Sequence, residues 1–356
     1  MSSLLQTKPA RVAYMDIMRI LAAFAIVMIH ASTETWASSP IGSAAWNTMN
    51  FYDAISRWGV PVFVMISGAL FLGREHTYKK LFQKNILHIL IVFIVWNLVY
   101  ATVPYIRHPE MLQPSSVVDR FFELGNHLWF LLMILGIYLI VPMLRKIVEN
   151  EKIAWAFVIL SFIFAVFLPQ AIDLLKLGSD SAAAIINRFV SALKLNFVLG
   201  YPGYFVLGYL LHKTALKTGV RITLYLLGLL GAAATVFGTW LLSVQEGKVN
   251  LLFFDYITVN VFFTAVAVFV AVKQLFDRPI KSEKGSNWLA FFSRCTFGVY
   301  LVHPLLIQFA VNLFRFDVAN WFPILSIPVF AIVIFVISSL ISFVMNKIPF
   351  VRKWLV

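Results

Sequence analysis

The chain alternates between apolar runs about as long as a membrane is thick and short polar segments rich in lysine and arginine. A hydrocarbon core about 30 Å thick needs roughly 20 apolar residues in a helix rising 1.5 Å per residue. Ten runs meet or approach that length, at 14–33, 54–73, 83–104, 127–147, 153–170, 196–212, 221–243, 252–273, 289–313 and 322–346. The pattern therefore predicts an all-α polytopic membrane protein of about ten transmembrane helices. The fifth run is short, and the sixth contains Tyr201-Pro202-Gly203-Tyr204, which breaks or kinks a helix unless neighbours re-satisfy its backbone.

Composition points the same way. Of 356 residues, 61% are hydrophobic and 13% charged, and the mean hydropathy of +0.86 lies far above that of a soluble domain. Lys8 and Arg11 precede the first run as they would in a signal peptide, yet the run is a full span long and no small-residue cleavage site follows it. It is expected to be retained. No hydrophilic stretch is large enough for a second domain, so residues 1–356 read as one membrane domain with no appended extracytoplasmic domain. The single Cys295 excludes an intramolecular disulfide and offers no metal-ligand cluster, so no metal is expected.

Charge then sets orientation. Lys8 and Arg11, the loops holding Arg74, Lys79, Lys80, Lys84, then Arg145, Lys146, Lys152, then Lys213, Lys217, Arg221, then Lys273, Arg278, Lys281, Lys284, and the tail with Lys347, Arg352, Lys353 all fall on one side. The intervening, mostly longer loops hold only Arg107, Arg120, Lys176, Arg188, Lys194, Lys248 and Arg315. Inside-positive bias therefore predicts that both termini are cytoplasmic. The net charge of +13 follows from that bias and from attraction to anionic membrane lipid, with no nucleic-acid partner required.

Arg19 and His30 lie inside the first run, where an ionisable side chain costs at least ~2.5 kcal/mol near the bilayer centre. At about 100° per residue, eleven steps bring the two within about 20° of each other and about 16 Å apart along the axis. Asp16 and Glu34 fall within about 60° of Arg19, so one helix face is a polar stripe. Histidine can take a proton from a hydroxyl near neutral pH, and arginine pairs with phosphates through a planar fork of donors. Glu34, four residues beyond His30, is placed to hold the other ring nitrogen. The plainer alternative is an arginine snorkelling to the headgroups and a satisfied core histidine.

Asp16-x-x-Arg19, the interval from Arg19 to His30, Val60-Pro61-Val62-Phe63-Val64-Met65-Ile66-Ser67-Gly68-Ala69-Leu70-Phe71-Leu72, His127-Leu128-Trp129-Phe130-Leu131, Gly208-Tyr209-Leu210-Leu211 and Thr296-Phe297-Gly298-Val299-Tyr300-Leu301-Val302-His303-Pro304 resemble, in order, motifs of the acyltransferase 3 family. The resemblance covers essentially the whole chain. Its short architecture most resembles the bacterial inner-membrane O-acetyltransferases of surface polysaccharides, such as the one that modifies enterobacterial common antigen. It implies a ten-helix core that takes an acyl group, usually acetyl from cytosolic acetyl-CoA, to a hydroxyl of an extracytoplasmic or lipid-linked carbohydrate. The family's essential arginine and histidine fall on Arg19 and His30.

Each remaining motif has two readings. Ser67-Gly68 is a close helix contact or part of a donor channel. Arg74, Lys79, Lys80 and Lys84 are inside-positive charge or a cradle for the phosphates of CoA. His127 and Trp129 belong to an interfacial aromatic belt or stack on the acceptor. His303 partners another buried polar group or acts as a second base. Tyr201 and Tyr204 beside Pro202 are candidates to line an acceptor opening. A different class of function, a transporter or flippase for an anionic sugar or lipid with Arg19 and His30 as its relay, calls for inverted repeats and paired broken helices. The sequence offers neither, only the break near Pro202.

Overall fold

The computed structural model of the chain describes residues 13–74, 79, 81–103, 113–122, 127–193, 195, 199–277 and 283–356. Lys80 of the expected donor cradle lies outside the described residues, as do Lys8, Arg11, Arg107, Lys194, Arg278 and Lys281 of the charge pattern. The described elements are all helical: α1 (Ala13–Thr33), α2 (Ala44–Ser56), α3 (Gly59–Phe71), α4 (Leu87–Thr102), α5 (Pro114–Phe122), α6 (Trp129–Val148), α7 (Glu151–Ser161), α8 (Leu168–Lys176), α9 (Asp180–Ala192), α10 (Tyr201–Lys213), α11 (Thr218–Glu246), α12 (Val259–Phe276), α13 (Glu283–Phe314), α14 (Pro323–Lys347) and α15 (Pro349–Trp354). A π-helical turn, Leu81–Ile86, leads into α4, and another, Phe162–Phe167, joins α7 to α8.

Nine stretches among the described residues are long and apolar enough to cross a membrane. Most match the expected runs with shifted ends. The second, Ala44–Phe71, begins ten residues earlier than expected and contains the break between α2 and α3. The sixth run forms α10, a helix of 13 residues and therefore about 20 Å, too short to span by itself. Most of its residues are buried among other helices, so little of it faces outward. Pro202 does not kink it. The chain turns at Gly200, whose φ of 98 suits glycine, and Pro202 sits in the first turn, where its missing N–H costs nothing. At the other end the Lys273 ammonium donates to the carbonyls of Leu211, His212 and Thr214 at 2.7, 2.8 and 3.0 Å and caps the helix with positive charge.

Two features position the interior. The first is α1 itself: 67% of its most apolar window is buried, against 17% for α11, whose Leu229, Leu230 and Phe237 face outward as lipid-facing residues do. The polar stripe of α1 is thus held in the centre of the bundle. The second is the crossing of α3 and α10, where Gly68 meets the backbone of Phe205 and Gly208 meets the backbone of Met65. Small residues at such a crossing let two backbones touch, the main source of helix association where water supplies no hydrophobic drive.

Arg19 near the start of α1, Asn346 near the end of α14 and Arg352 on α15 line one cavity, so the two ends of the described chain meet at one face of the bundle. The inside-positive pattern predicts that this face is cytoplasmic. A reporter fused after Val356 is expected to read as cytoplasmic, and one inserted near Gln113 or Gln245 as extracytoplasmic. A periplasmic signal from the Val356 fusion would reverse the assignment.

Candidate active site

The shared face of α1 leads from a cationic cavity to a cluster of histidines. The cavity holds about 560 Å³ and is lined by Arg19, Ser67, Lys84, His88, Arg294 and Arg352, with Tyr138, Phe130 and Tyr300 further in. Ser67 donates from Oγ to Phe63 O at 2.9 Å, which turns its hydroxyl along its own helix, and it also hydrogen-bonds Tyr138. Four cationic side chains around one cavity suit a multiply charged anionic ligand. The wall formed by α15 is pinned by a hydrogen bond from Trp96 Nε1 to Leu355 O at 3.1 Å.

Where the cavity reaches Tyr300, the histidines begin. His30 from α1, His127 from the turn before α6 and His303 from α13 come together, with ring centroids 5.1 Å apart for His30 and His303, 5.3 Å for His127 and His303, and 6.2 Å for His30 and His127. The Tyr300 hydroxyl donates to His127 O at 2.6 Å and ties α13 to the turn that carries His127. His303 Nδ1 lies 2.9 Å from Val299 O, so that nitrogen carries the proton and Nε2 presents a lone pair. His303 Nε2 and both ring nitrogens of His127 are buried without a hydrogen-bond partner. Buried polar atoms of that kind cost free energy, and three around one histidine mark a reserved site. No group of His, Cys, Asp or Glu among the described residues is arranged to hold a metal ion.

Sequence reasoning placed several residues differently. Glu34 is exposed in the turn after α1 and makes no hydrogen bond to His30; the helix ends one residue before it, so the i+4 geometry that would bring the two together is lost. Arg74 and Lys79 are exposed and do not line the cationic cavity. Their place is taken by Lys84, Arg294 and Arg352. Gly68 makes the helix crossing while its neighbour Ser67 turns to the cavity. Tyr204 is fully buried and its hydroxyl donates to Tyr256 O at 2.8 Å, so it braces a loop and is closed to an acceptor. Trp129 is half-buried and stacks on Tyr256.

The profile of the acyltransferase domain of the acyltransferase 3 family matches residues 12–343, nearly the whole chain. The chain belongs to the acyltransferase 3 family. No curated protein and no solved structure matches it. This acyltransferase is a multi-pass membrane protein. A membrane acyltransferase must bring an acyl donor and an acceptor to one point inside a bundle, and here the cavity and the histidines share an end at Tyr300.

One charged pair escaped sequence reasoning. Asp53, fully buried, and Arg57 form an ion pair at 2.7 Å at the end of α2, just before the break in the second span. The charge of Arg57 acts on His30. The signal was available in principle: an Asp and an Arg four residues apart inside an apolar stretch. Starting that span at 54 put Asp53 in a loop and Arg57 at an interface, where neither needs explaining.

Proposed function

We infer that this acyltransferase is an O-acyltransferase that takes acetyl from cytosolic acetyl-CoA and delivers it to a hydroxyl of an extracytoplasmic or lipid-linked cell-surface carbohydrate, in the inner membrane of a bacterial cell. The single observation that carries the reading is the sequence of sites along α1: cationic cavity at Arg19, then His30 against the buried His127 and His303. In this reading Arg19, Lys84, Arg294 and Arg352 hold the phosphates of the donor and the thioester lies past Ser67 toward Tyr300. His30 takes the proton from the acceptor hydroxyl as its oxygen attacks the thioester carbon. The tetrahedral intermediate collapses, the C–S bond breaks, and the thiolate receives that proton from His30 and leaves as CoA. His303 Nε2, an acceptor by virtue of the Val299 hydrogen bond, steadies the protonated His30. His127 lies on the acceptor side. Membrane lipid surrounds the outer helices and a glycan or lipid-linked sugar is the acceptor.

The experiment that tests this uses purified protein in lipid nanodiscs with labelled acetyl-CoA and glycans extracted from the cell envelope. Release of CoA together with label on the glycan is expected; movement of unmodified glycan across the bilayer with no CoA released would favour the flippase reading. A companion measurement concerns the donor. Arg19→Ala, Arg294→Ala and Arg352→Ala are each expected to weaken acetyl-CoA binding by about tenfold, the size of a lost charge-assisted hydrogen bond. The residue that meets the 3′-phosphate will show a much smaller loss with dephospho-CoA. Arg19→Lys should rescue only in part, since a point charge does not replace a bidentate fork. Arg74→Ala, outside the cavity, is expected to change affinity least. Calorimetry with unchanged affinity in all three cavity variants would return these arginines to topology and snorkelling.

A further inference from the structure

The Asp53–Arg57 pair sits where a stability argument does not explain it. A buried ion pair costs about as much to desolvate as it returns, and apolar residues of similar volume commonly do as well or better. This one is also incomplete: Arg57 Nε and Asp53 Oδ1 are buried with no partner. The guanidinium lies over the Phe254 ring at 4.5 Å and near the Tyr256 ring at 5.4 Å. Tyr256 stacks on Trp129 with centroids 5.7 Å apart and planes at 25°, and Trp129 leans on Tyr201 at 5.8 Å. Trp129, Tyr201 and Tyr256 are half-buried, so this aromatic shelf is reachable from outside the protein. Burial pushes the Tyr256 phenol above its ordinary range, so it remains a neutral donor at any physiological pH.

The shelf adjoins the histidines. Trp129 follows His127 by two residues, and Arg57 acts electrostatically on His30. An aromatic face accepts the carbon-bound hydrogens of a saturated ring, while an N–H donor beside a carboxylate oxygen suits a hydroxyl, which both donates and accepts. Asp53 neutralises Arg57 and the exposed Asp255 beside Tyr256 is acidic, so these residues offer no free cation with which to select an anion.

Resting on the acyltransferase reading above, we propose that Arg57, Asp53, Tyr256 and Trp129 form the acceptor subsite, and that it seats an uncharged pyranose ring beside His30. Arg57 and Asp53 orient the ring through its hydroxyls, and the two aromatics carry its apolar face. They are specificity-determining residues, and the donor does not touch them.

The test uses the full chain in nanodiscs with labelled acetyl-CoA, and with methyl glucopyranoside, methyl galactopyranoside and methyl glucuronide as acceptor probes. Wild-type protein is expected to label the two neutral glycosides, or to be inhibited by them when acylating extracted envelope glycan, and to favour them over the glucuronide. Trp129→Ala, Tyr256→Leu and Arg57→Gln are each expected to raise the KM, or the inhibition constant, of the neutral glycosides tenfold or more while acetyl-CoA affinity stays within twofold. Trp129 and Tyr256 are half-buried and uncharged, so those two variants report even if Arg57→Gln fails to fold. Folded variants with unchanged acceptor constants would overturn the subsite and leave the pair a structural tie at the helix break. Preference for the glucuronide, lost in Arg57→Gln, would overturn the uncharged class. A wild-type protein that releases no CoA with any acceptor would instead sink the acyltransfer reading on which the subsite rests.

Discussion

His30→Ala is expected to lower acyl transfer by about two to four orders of magnitude, the usual cost of removing a general base from its site. Protein level, membrane insertion and acetyl-CoA binding should remain near normal, because His30 does not line the cationic cavity. His303→Ala is expected to cost less rate and more stability. Its ring touches His30 and its Nδ1 is committed to Val299 O in the middle of α13, so its removal empties a fully buried space and disturbs a neighbour of the reacting group. Glu34→Gln is expected to behave like wild type, since that side chain is exposed and not bonded to His30. The checks are glycan label in cells, acetyl-CoA affinity of the purified variants and thermal stability. A folded His30→Ala protein that acylates at the wild-type rate would end the mechanism, whatever the other two do.

Arg19 and His30 were legible in the sequence because helical periodicity is local: eleven residues fix their shared face whatever surrounds them. His127 and His303 could be flagged as expensive in a membrane, but their meeting with His30 is a tertiary fact that no spacing encodes. The cationic cavity was not foreseen for a related reason. Lys84, Arg294 and Arg352 come from three distant segments, and the first and last of these had already been assigned to inside-positive charge. A count of basic residues per loop cannot distinguish a topology signal from a phosphate cradle. Tyr256 was hidden by a boundary: the run that seemed to begin at 252 starts as a helix only at Val259, and the residues between form a loop that presents the aromatic ring. The sixth run differs from the others in that its described helix, α10, has only 13 residues and most of them are buried among neighbouring helices, which a hydropathy window cannot see.

The crossing of α3 and α10 carries the largest expected effect on stability. A Cβ added at Gly68 would overlap the Phe205 backbone, far inside van der Waals contact, and one at Gly208 would do the same to the backbone of Met65. A flexible side chain could yield; a helix backbone cannot without moving its whole helix. Gly68→Ala and Gly208→Ala are therefore each expected to cost at least ~1–3 kcal/mol, despite the gain of ~1 kcal/mol that alanine brings to a helix interior. Gly136→Ala on α6 is the control, since nothing lies within 4 Å of its added Cβ. It should be neutral or stabilising. Activity should fall with stability in both crossing variants, because α3 carries Ser67 to the cationic cavity. Gly68 and Gly208 face each other's helix three residues apart in register with Phe205 and Met65, so they report on one separation. Once one alanine has pushed the helices apart, the second has less left to disturb, and the double variant should lose clearly less than the two single losses combined. Thermal unfolding in detergent or nanodiscs measures all four proteins, and full additivity would mean that the two glycines do not share a contact.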